Sequence, residues 1–256
     1  MNAAHADLLR ALHVPGDPLI VTNVWDAASA RAVAGAAGVR ALATASHSVS
    51  EARGVSDGEG LTVDQALDAA AVIVRAVELP VSVDFERGYA ADAAGVEANV
   101  RRLAEAGAAG LNFEDSLDGT TMRPMAEQVE RVSAVRAGAD ASGVPLVINA
   151  RVDALRRGET FDLAVERANA YLAAGGDAAF VLGLDTAELV ARAVQEVDGP
   201  VSVIAKAGYL PLAQLADLGV ARVSFGPGPL QLTLRHLAAA AEAVTAQGEY
   251  PAQLTF

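Results

Sequence analysis

The chain contains no cysteine. That excludes disulfides, thiolate metal sites and a cysteine nucleophile or acid. Aromatic residues make up only 4% of a chain that is 52% hydrophobic, so the core must be aliphatic, built from Ala, Val and Leu. Long apolar runs are missing as well. Stretches such as Ala69–Val74 stop far short of the roughly 20 residues a membrane span needs, and Met1–Pro15 carries early charges and a histidine instead of a long apolar segment. A cytoplasmic protein with no membrane association is expected. Basic residues are also scarce, with 19 Lys and Arg against 32 Asp and Glu and a net charge of −13. Phosphate binding needs basic stripes, so nucleic acid is not an expected partner. If the substrate is anionic the overall field repels it, and a local cation or arginine must recruit it.

What is present is an alternation. Short β-like runs occur at Leu19–Thr22, Ala41–Ala45, Val81–Asp84, Gly110–Phe113, Leu146–Asn149, Ala179–Leu182, Val201–Ile204 and Arg222–Phe225. Between them lie Ala-rich segments with apolar residues at mixed three and four spacing, the helical period: Ala27–Ala37, Thr62–Val77, Ala91–Ala106, Met125–Ala141, Phe161–Ala174, Thr186–Val197 and Leu212–Leu218. Gly38, Gly107, Gly175 and Gly219 follow helical runs, where a left-handed residue ends a helix. Eight β/α units in 256 residues predict an α/β fold, a single-domain (β/α)₈ TIM-type barrel over residues 1–256. A doubly wound open sheet is the rival. No Gly-rich dinucleotide fingerprint follows the first strand, where Thr22-Asn23-Val24-Trp25-Asp26 stands instead.

Two strands end in acids: Val81-Ser82-Val83 runs into Asp84-Phe85-Glu86, and Leu111-Asn112-Phe113 into Glu114-Asp115. A bare carboxylate at a buried strand end is costly unless something neutralises it. In a barrel these ends share one mouth. Asp57, Asp84, Glu86 and Glu114 are therefore candidate metal ligands, and an all-oxygen set suits Mg²⁺, with Mn²⁺ as the alternative. Helix capping and arginine pairing are the other uses such acids have. Arg151, just past a buried strand, is a permanently charged fork for a substrate carboxylate, or a partner for Glu114. His47 is the one histidine in a site position, and the main-chain N–H groups of Ser46 and His47 are candidate anion donors. Trp25 could floor the pocket, and Asp26 could equally cap the helix after it. Gly226-Pro227-Gly228-Pro229 reads as a rigid turn, and Lys206 as an unneeded Schiff-base candidate. Ser116–Arg123 is polar and loop-like, a candidate lid, and 46–60 is long for a βα loop.

Five motifs stand in order along the chain: Asn23-Val24-Trp25-Asp26-Ala27-Ala28-Ser29-Ala30, Thr44-Ala45-Ser46-His47-Ser48-Val49 with Gly54-Val55-Ser56-Asp57-Gly58, Asp84-Phe85-Glu86-Arg87-Gly88-Tyr89, Gly110-Leu111-Asn112-Phe113-Glu114-Asp115-Ser116, and Asn149-Ala150-Arg151-Val152-Asp153-Ala154. Together they resemble the isocitrate lyase/phosphoenolpyruvate mutase superfamily. The resemblance covers residues 19 to about 230. It implies a barrel whose C-terminal helical segment, 231–256, packs on a partner subunit in a homodimer or homotetramer. It implies Mg²⁺ held mainly through Asp84, with Asp57, Glu86 and Glu114 acting through water, and a small 2-oxo acid as substrate. Trp25, Ser46, His47, Asp84, Asn149 and Arg151 would bind that substrate, with Arg151, Glu114 and His47 as the catalytic set. Ser116–Arg123 lacks the Cys of the isocitrate and methylisocitrate lyase lid, and also the Lys and Asn of the phosphorus-transferring mutase lid. Glu86 stands where the commoner motif has a second Asp.

The expected activity is Mg²⁺-dependent cleavage of a C–C bond in a small 2-oxo or 2-hydroxy dicarboxylic acid through an enolate, as in the phosphonopyruvate hydrolase/oxaloacetate decarboxylase-like branch. The alternatives are C–P bond mutase or hydrolase chemistry and non-catalytic 2-oxo acid binding. Asp84→Ala and Arg151→Ala are both expected to abolish turnover while leaving the fold.

Overall fold

A computed structural model describes residues 2–118 and 120–248. Nine parallel strands form one sheet in the order β1-β9-β8-β7-β6-β5-β4-β3-β2. They are β1 (Leu19–Val21), β2 (Asn23–Val24), β3 (Leu42–Thr44), β4 (Val81–Asp84), β5 (Gly110–Glu114), β6 (Val147–Val152), β7 (Ala178–Val181), β8 (Val201–Ile204) and β9 (Arg222–Ser224). The expected first strand is interrupted at Thr22. Its first half pairs with β9, Leu19 opposite Arg222, and its second half with β3, Asn23 opposite Ala43. One broken strand thus joins both sides of the sheet, and the expected eight-stranded TIM-type barrel is present with nine strand segments. The open doubly wound sheet is excluded by this register.

The helices are α1 (Asn2–Ala11), α2 (Ala27–Ala34), α3 (Ser46–Ala52), α4 (Val63–Val74), α5 (Ala93–Glu105), α6 (Met125–Ser142), α7 (Phe161–Ala173), α8 (Ala187–Glu196), α9 (Leu212–Asp217) and α10 (Gly228–Gln247). The cap of α2 settles the role of Asp26, whose Oδ1 accepts the Ser29 N–H at 2.7 Å. Helix α10 starts inside Gly226-Pro227-Gly228-Pro229, with proline in its first turn. The expected 231–256 segment therefore begins within α10, and its residues 249–256 lie outside the described ones.

Alternation along each strand divides the interior in two. Leu111, Phe113, Ile148, Val203 and Val223 face outward onto the helices, where they pack with Val100, Leu103 and Val135. Each such buried side chain contributes roughly 1.5–3 kcal/mol. The residues between them face into the barrel, and a polar set links its middle layer. Asn149 Nδ2 donates to Asn112 Oδ1 at 2.8 Å, Ser202 Oγ donates to Asn149 Oδ1 at 2.8 Å, and Arg222 Nη1 donates to Ser82 Oγ at 3.2 Å. The N-terminal end is closed by apolar residues, where Leu9 of α1 meets Leu19, Val21, Ala41, Ala43, Ala109 and Val147. That plug comes so close that a Cβ on Gly110 would stand 2.6 Å from the Val147 carbonyl oxygen and 2.9 Å from Leu9 Cδ2.

Candidate functional site

The acid-tipped strands deliver their carboxylates to the C-terminal mouth of the barrel. Asp84 ends β4. Its Oδ2 accepts the Ser46 N–H at 3.0 Å, and its own N–H donates to Thr44 Oγ1 at 2.8 Å. The second oxygen, Oδ1, is buried and has no hydrogen-bond partner in the protein. A buried carboxylate oxygen without a donor is expensive.

Next to it, β5 and β6 present Glu114 and Arg151, which are opposite each other in register. Glu114 Oε2 lies 2.5 Å from Arg151 Nη1. Glu114 Oε1 accepts the hydroxyl of Ser116, the first residue of the segment expected to be a lid. Arg151 is also gripped from its other side, with Nε 2.8 Å from Asp153 Oδ1 and Nη2 2.9 Å from Asp153 Oδ2. Burial opposes the Arg151 charge, but Glu114 and Asp153 outweigh it and hold the guanidinium firmly protonated. Burial raises the Glu114 carboxyl, and Arg151 works against that rise. Asp84 is close enough to add to both effects.

Glu86 is buried and backbone-strained, with φ of 46°. Its Oε2 accepts the Glu59 N–H at 2.5 Å and its Oε1 accepts the Tyr89 hydroxyl at 2.5 Å. Burial pushes its carboxyl up to about 7, and the charges of Asp84 and Asp57 push the same way. Asp57 sits exposed on the loop after α3. With His47, Glu51, Gly54, Val55, Ser56 and Gln231 it lines an open cavity of about 480 Å³.

The structure therefore brings Asp84, Glu86, Glu114, Arg151 and Ser46 together at the mouth and sets the other expected residues around them. Ser46 and His47 open helix α3, where a loop was expected, because Val49 buries itself against Leu61 and Ala69. His47 is exposed on that helix, its Nδ1 3.6 Å from Glu51 Oε2. Trp25 packs against the same Val49–Leu61–Ala69 cluster. Asn149 lies inside the barrel with its amide engaged by Asn112 and Ser202. Among the described residues, no three His, Cys, Asp or Glu side chains converge as a ready-made metal cage. Glu86 and Glu114 are taken up by protein donors, which leaves Asp84 Oδ1 as the open oxygen. A hard cation that keeps several waters and takes one carboxylate fits this donor set.

Several participants escape sequence reading. Asp115, the second acid of its pair, is fully buried facing away from the mouth, where it accepts the Asp153 N–H at 2.9 Å and the Tyr171 hydroxyl at 2.9 Å and lies 3.3 Å from Arg167 Nη1. Strand alternation was the available signal: residues 114 and 115 cannot face the same way. Glu59, Arg87 and Tyr89 are tied to the site by contacts between loops, which no spacing reveals, and Ser116 by a hydroxyl that reaches back two residues to Glu114.

The family model described as phosphoenolpyruvate phosphomutase matches residues 9–245. The chain is 32% identical to the 2-methylisocitrate lyase of Halalkalibacterium halodurans over 203 residues, 76% of this chain and 65% of that protein. It is 44% identical to the oxaloacetate decarboxylase of Rhodopseudomonas palustris over 117 residues, 44% of this chain and 40% of that protein. A crystal structure from Burkholderia cenocepacia J2315, whose phosphonomutase assignment is itself provisional, superposes with a TM-score of 0.90 at 39% identity, covering 97% of this chain and all of that one.

Proposed function

From the premise that the chain belongs to the phosphoenolpyruvate phosphomutase family, whose matched relatives are lyases, decarboxylases and mutases of small carboxylic acids, we propose that it is a Mg²⁺-dependent carbon–carbon lyase or decarboxylase. Its substrate is a small 2-oxo or 2-hydroxy dicarboxylic acid. The observation that carries this reading is the pairing of an unpartnered buried oxygen, Asp84 Oδ1, with a permanently charged Arg151 at the same barrel mouth.

Asp84 would hold the ion directly, with Asp57, Glu86 and Glu114 reaching it through water. When bound, Mg²⁺ supplies a concentrated positive charge that polarises a 2-oxo group. Breaking the adjacent C–C bond leaves its electron pair on an enolate oxygen, and fixed positive charge at that point lowers the barrier. Arg151 provides such charge without reorganising, because Glu114 and Asp153 hold its fork from two sides. It also offers an anionic substrate a local attraction within a chain of net −13. Glu114 links Arg151 to the lid through Ser116, and a closed lid keeps water from the enolate.

The test is turnover of a panel of 2-oxo and 2-hydroxy dicarboxylic acids, oxaloacetate first, with Mg²⁺ and with chelator. The expected result is metal-dependent product formation by the native chain and none by Asp84→Ala. Equal turnover by metal-free Asp84→Ala protein would end the proposal. A second reading, C–P bond rearrangement or hydrolysis, draws on the 33% identity to the phosphoenolpyruvate phosphomutase of Streptomyces hygroscopicus, which covers 86% of this chain. Phosphorus NMR with phosphonopyruvate separates the two. A homo-oligomer is proposed as well. It is supported by Leu232 and Leu237 of α10, which are 63% and 65% exposed in the single chain. No helix among the described residues is long and apolar enough to cross a membrane.

A further inference from the structure

Three non-glycine residues among the described ones have positive φ: Glu59 at 62°, Glu86 at 46° and Tyr89 at 54°. All three belong to one clasp between the loop that carries Asp57 and the turn that follows β4. Such conformations cost of order 1–3 kcal/mol each and persist only where surrounding contacts over-determine them. Those contacts are reciprocal here. The Glu59 N–H donates to Glu86 Oε2 at 2.5 Å, and Glu59 Oε1 accepts the Tyr89 N–H at 2.7 Å.

Arg87 extends the clasp to a third segment. Its Nη2 donates to the Gly58 carbonyl at 2.8 Å and to Glu59 Oε2 at 3.3 Å, and its Nη1 donates to the Leu117 carbonyl at 3.3 Å. One guanidinium therefore grips both the Asp57 loop and the lid. Its backbone is fixed in turn, because the Arg87 carbonyl accepts Arg131 Nη2 at 2.7 Å from α6. Around the Leu117 contact, the Leu117 N–H donates to the Thr121 carbonyl at 2.8 Å, and Asp118 Oδ1 accepts the N–H groups of Thr120 and Thr121 at 2.7 Å. A surface ion pair would leave Arg87 and Glu59 exposed, yet their side chains are only 14% and 21% accessible.

We infer that Glu59 and Arg87 are positioning residues that couple the Ser116–Asp118 arm to the Asp57 loop, so that the two segments hold their places at the barrel mouth as one unit. Neither residue is assigned to the substrate or to the ion. The planar fork suits the coupling, since its two terminal nitrogens reach the Leu117 and Gly58 carbonyls at once in a fixed geometry that a lysine ammonium lacks. The inference rests on the reading of the Asp84 mouth as the reaction site for its functional meaning, and on the contacts alone for its mechanical part.

The experiment is hydrogen–deuterium exchange on the full chain, comparing native protein with Arg87→Met, Arg87→Lys, Glu59→Gln and the Glu59→Gln/Arg87→Met double variant. Arg87→Met is expected to speed exchange at both 53–60 and 116–123 by roughly tenfold, the scale of losing one charge-assisted hydrogen bond, with the barrel strands unchanged. The double variant should be no worse than Arg87→Met, because the two residues act through one link. Arg87→Lys keeps the charge and provides the same reading if the methionine variant does not fold, with faster exchange in both segments again expected. Exchange that rises in one segment alone, or in neither, overturns the coupling. With Mg²⁺ and oxaloacetate, Arg87→Met should lower kcat roughly tenfold while KM stays within about threefold, the pattern of lost transition-state positioning with substrate binding kept. An unchanged kcat overturns the positioning role. A native chain that turns over neither 2-oxo nor 2-hydroxy dicarboxylic acids would refute the proposed function, while the exchange data alone would still decide the coupling.

Discussion

Replacing Arg151 with methionine tests the electrostatic design of the mouth. The substitution keeps much of the side-chain length and removes the charge that lies 2.5 Å from Glu114 and 2.8 Å from Asp153. Asp153 is fully buried and Glu114 nearly so. Stripping the cation from buried carboxylates leaves them uncompensated, a loss of about 3–5 kcal/mol. The sign of its pH dependence follows from Glu114. Burial already raises this carboxyl, and Arg151 is the main force opposing the rise. Without Arg151 the folded-state pKa climbs further above its unfolded value, so the folded variant takes up a proton that the unfolded chain does not. The penalty is full above the raised folded pKa and shrinks as pH falls toward the unfolded value, by about 1.4 kcal/mol per unit. Urea unfolding of native and Arg151→Met protein at pH 8 and pH 5 measures it. The variant should be several kcal/mol weaker at pH 8 and much closer to native at pH 5, and adding Glu114→Gln should recover part of the loss at pH 8. A variant within about 1 kcal/mol of native at both pH values would refute the reasoning. The same geometry revises the expectation that Arg151→Ala spares the fold: this arginine holds two buried carboxylates, Glu114 and Asp153, in place.

Two more outcomes follow from the same structure. Glu86 is an acid whose folded pKa, about 7, stands above its ordinary value of 4.5. Its contribution to stability is therefore most favourable below about 4.5 and is lost as pH rises through 7, up to about 3 kcal/mol. Glu86→Gln should flatten that part of the Tm profile between pH 5 and pH 8, and an unchanged slope would count against it. Gly110→Ala drives a methyl group into the Val147 carbonyl and Leu9. A loss of about 1–3 kcal/mol by urea unfolding is expected, and native-like stability would show that the β5–β6 backbone as well as α1 shifts without cost.

Much of the barrel was legible because its physics is local. Runs such as Val81–Val83 are short and apolar, and the helical periods end at Gly107, Gly175 and Gly219, each observed with positive φ. The acid tips were legible for the same reason, since Asp84 and Glu114 each end a strand. The interruption at Thr22 was not, because it depends on which neighbour each half of the strand pairs with. Helix α3 hid in a stretch whose only apolar signal is Val49, and that residue is ordered by Leu61 and Ala69 from further along the chain. Glu59 and Arg87 look like ordinary surface charges until two loops meet around them.

The interrupted first strand makes the barrel a tube with a single seam. Three residues, Leu19–Val21, hold one lip and two, Asn23–Val24, hold the other. If those five residues peel away, the Arg222–Ser224 and Leu42–Thr44 backbones become free edges able to add strands from another molecule. Aggregation on heating should therefore begin at this seam, ahead of any loss of the helices, and a tighter Leu19–Val24 segment is the economical route to a more durable protein.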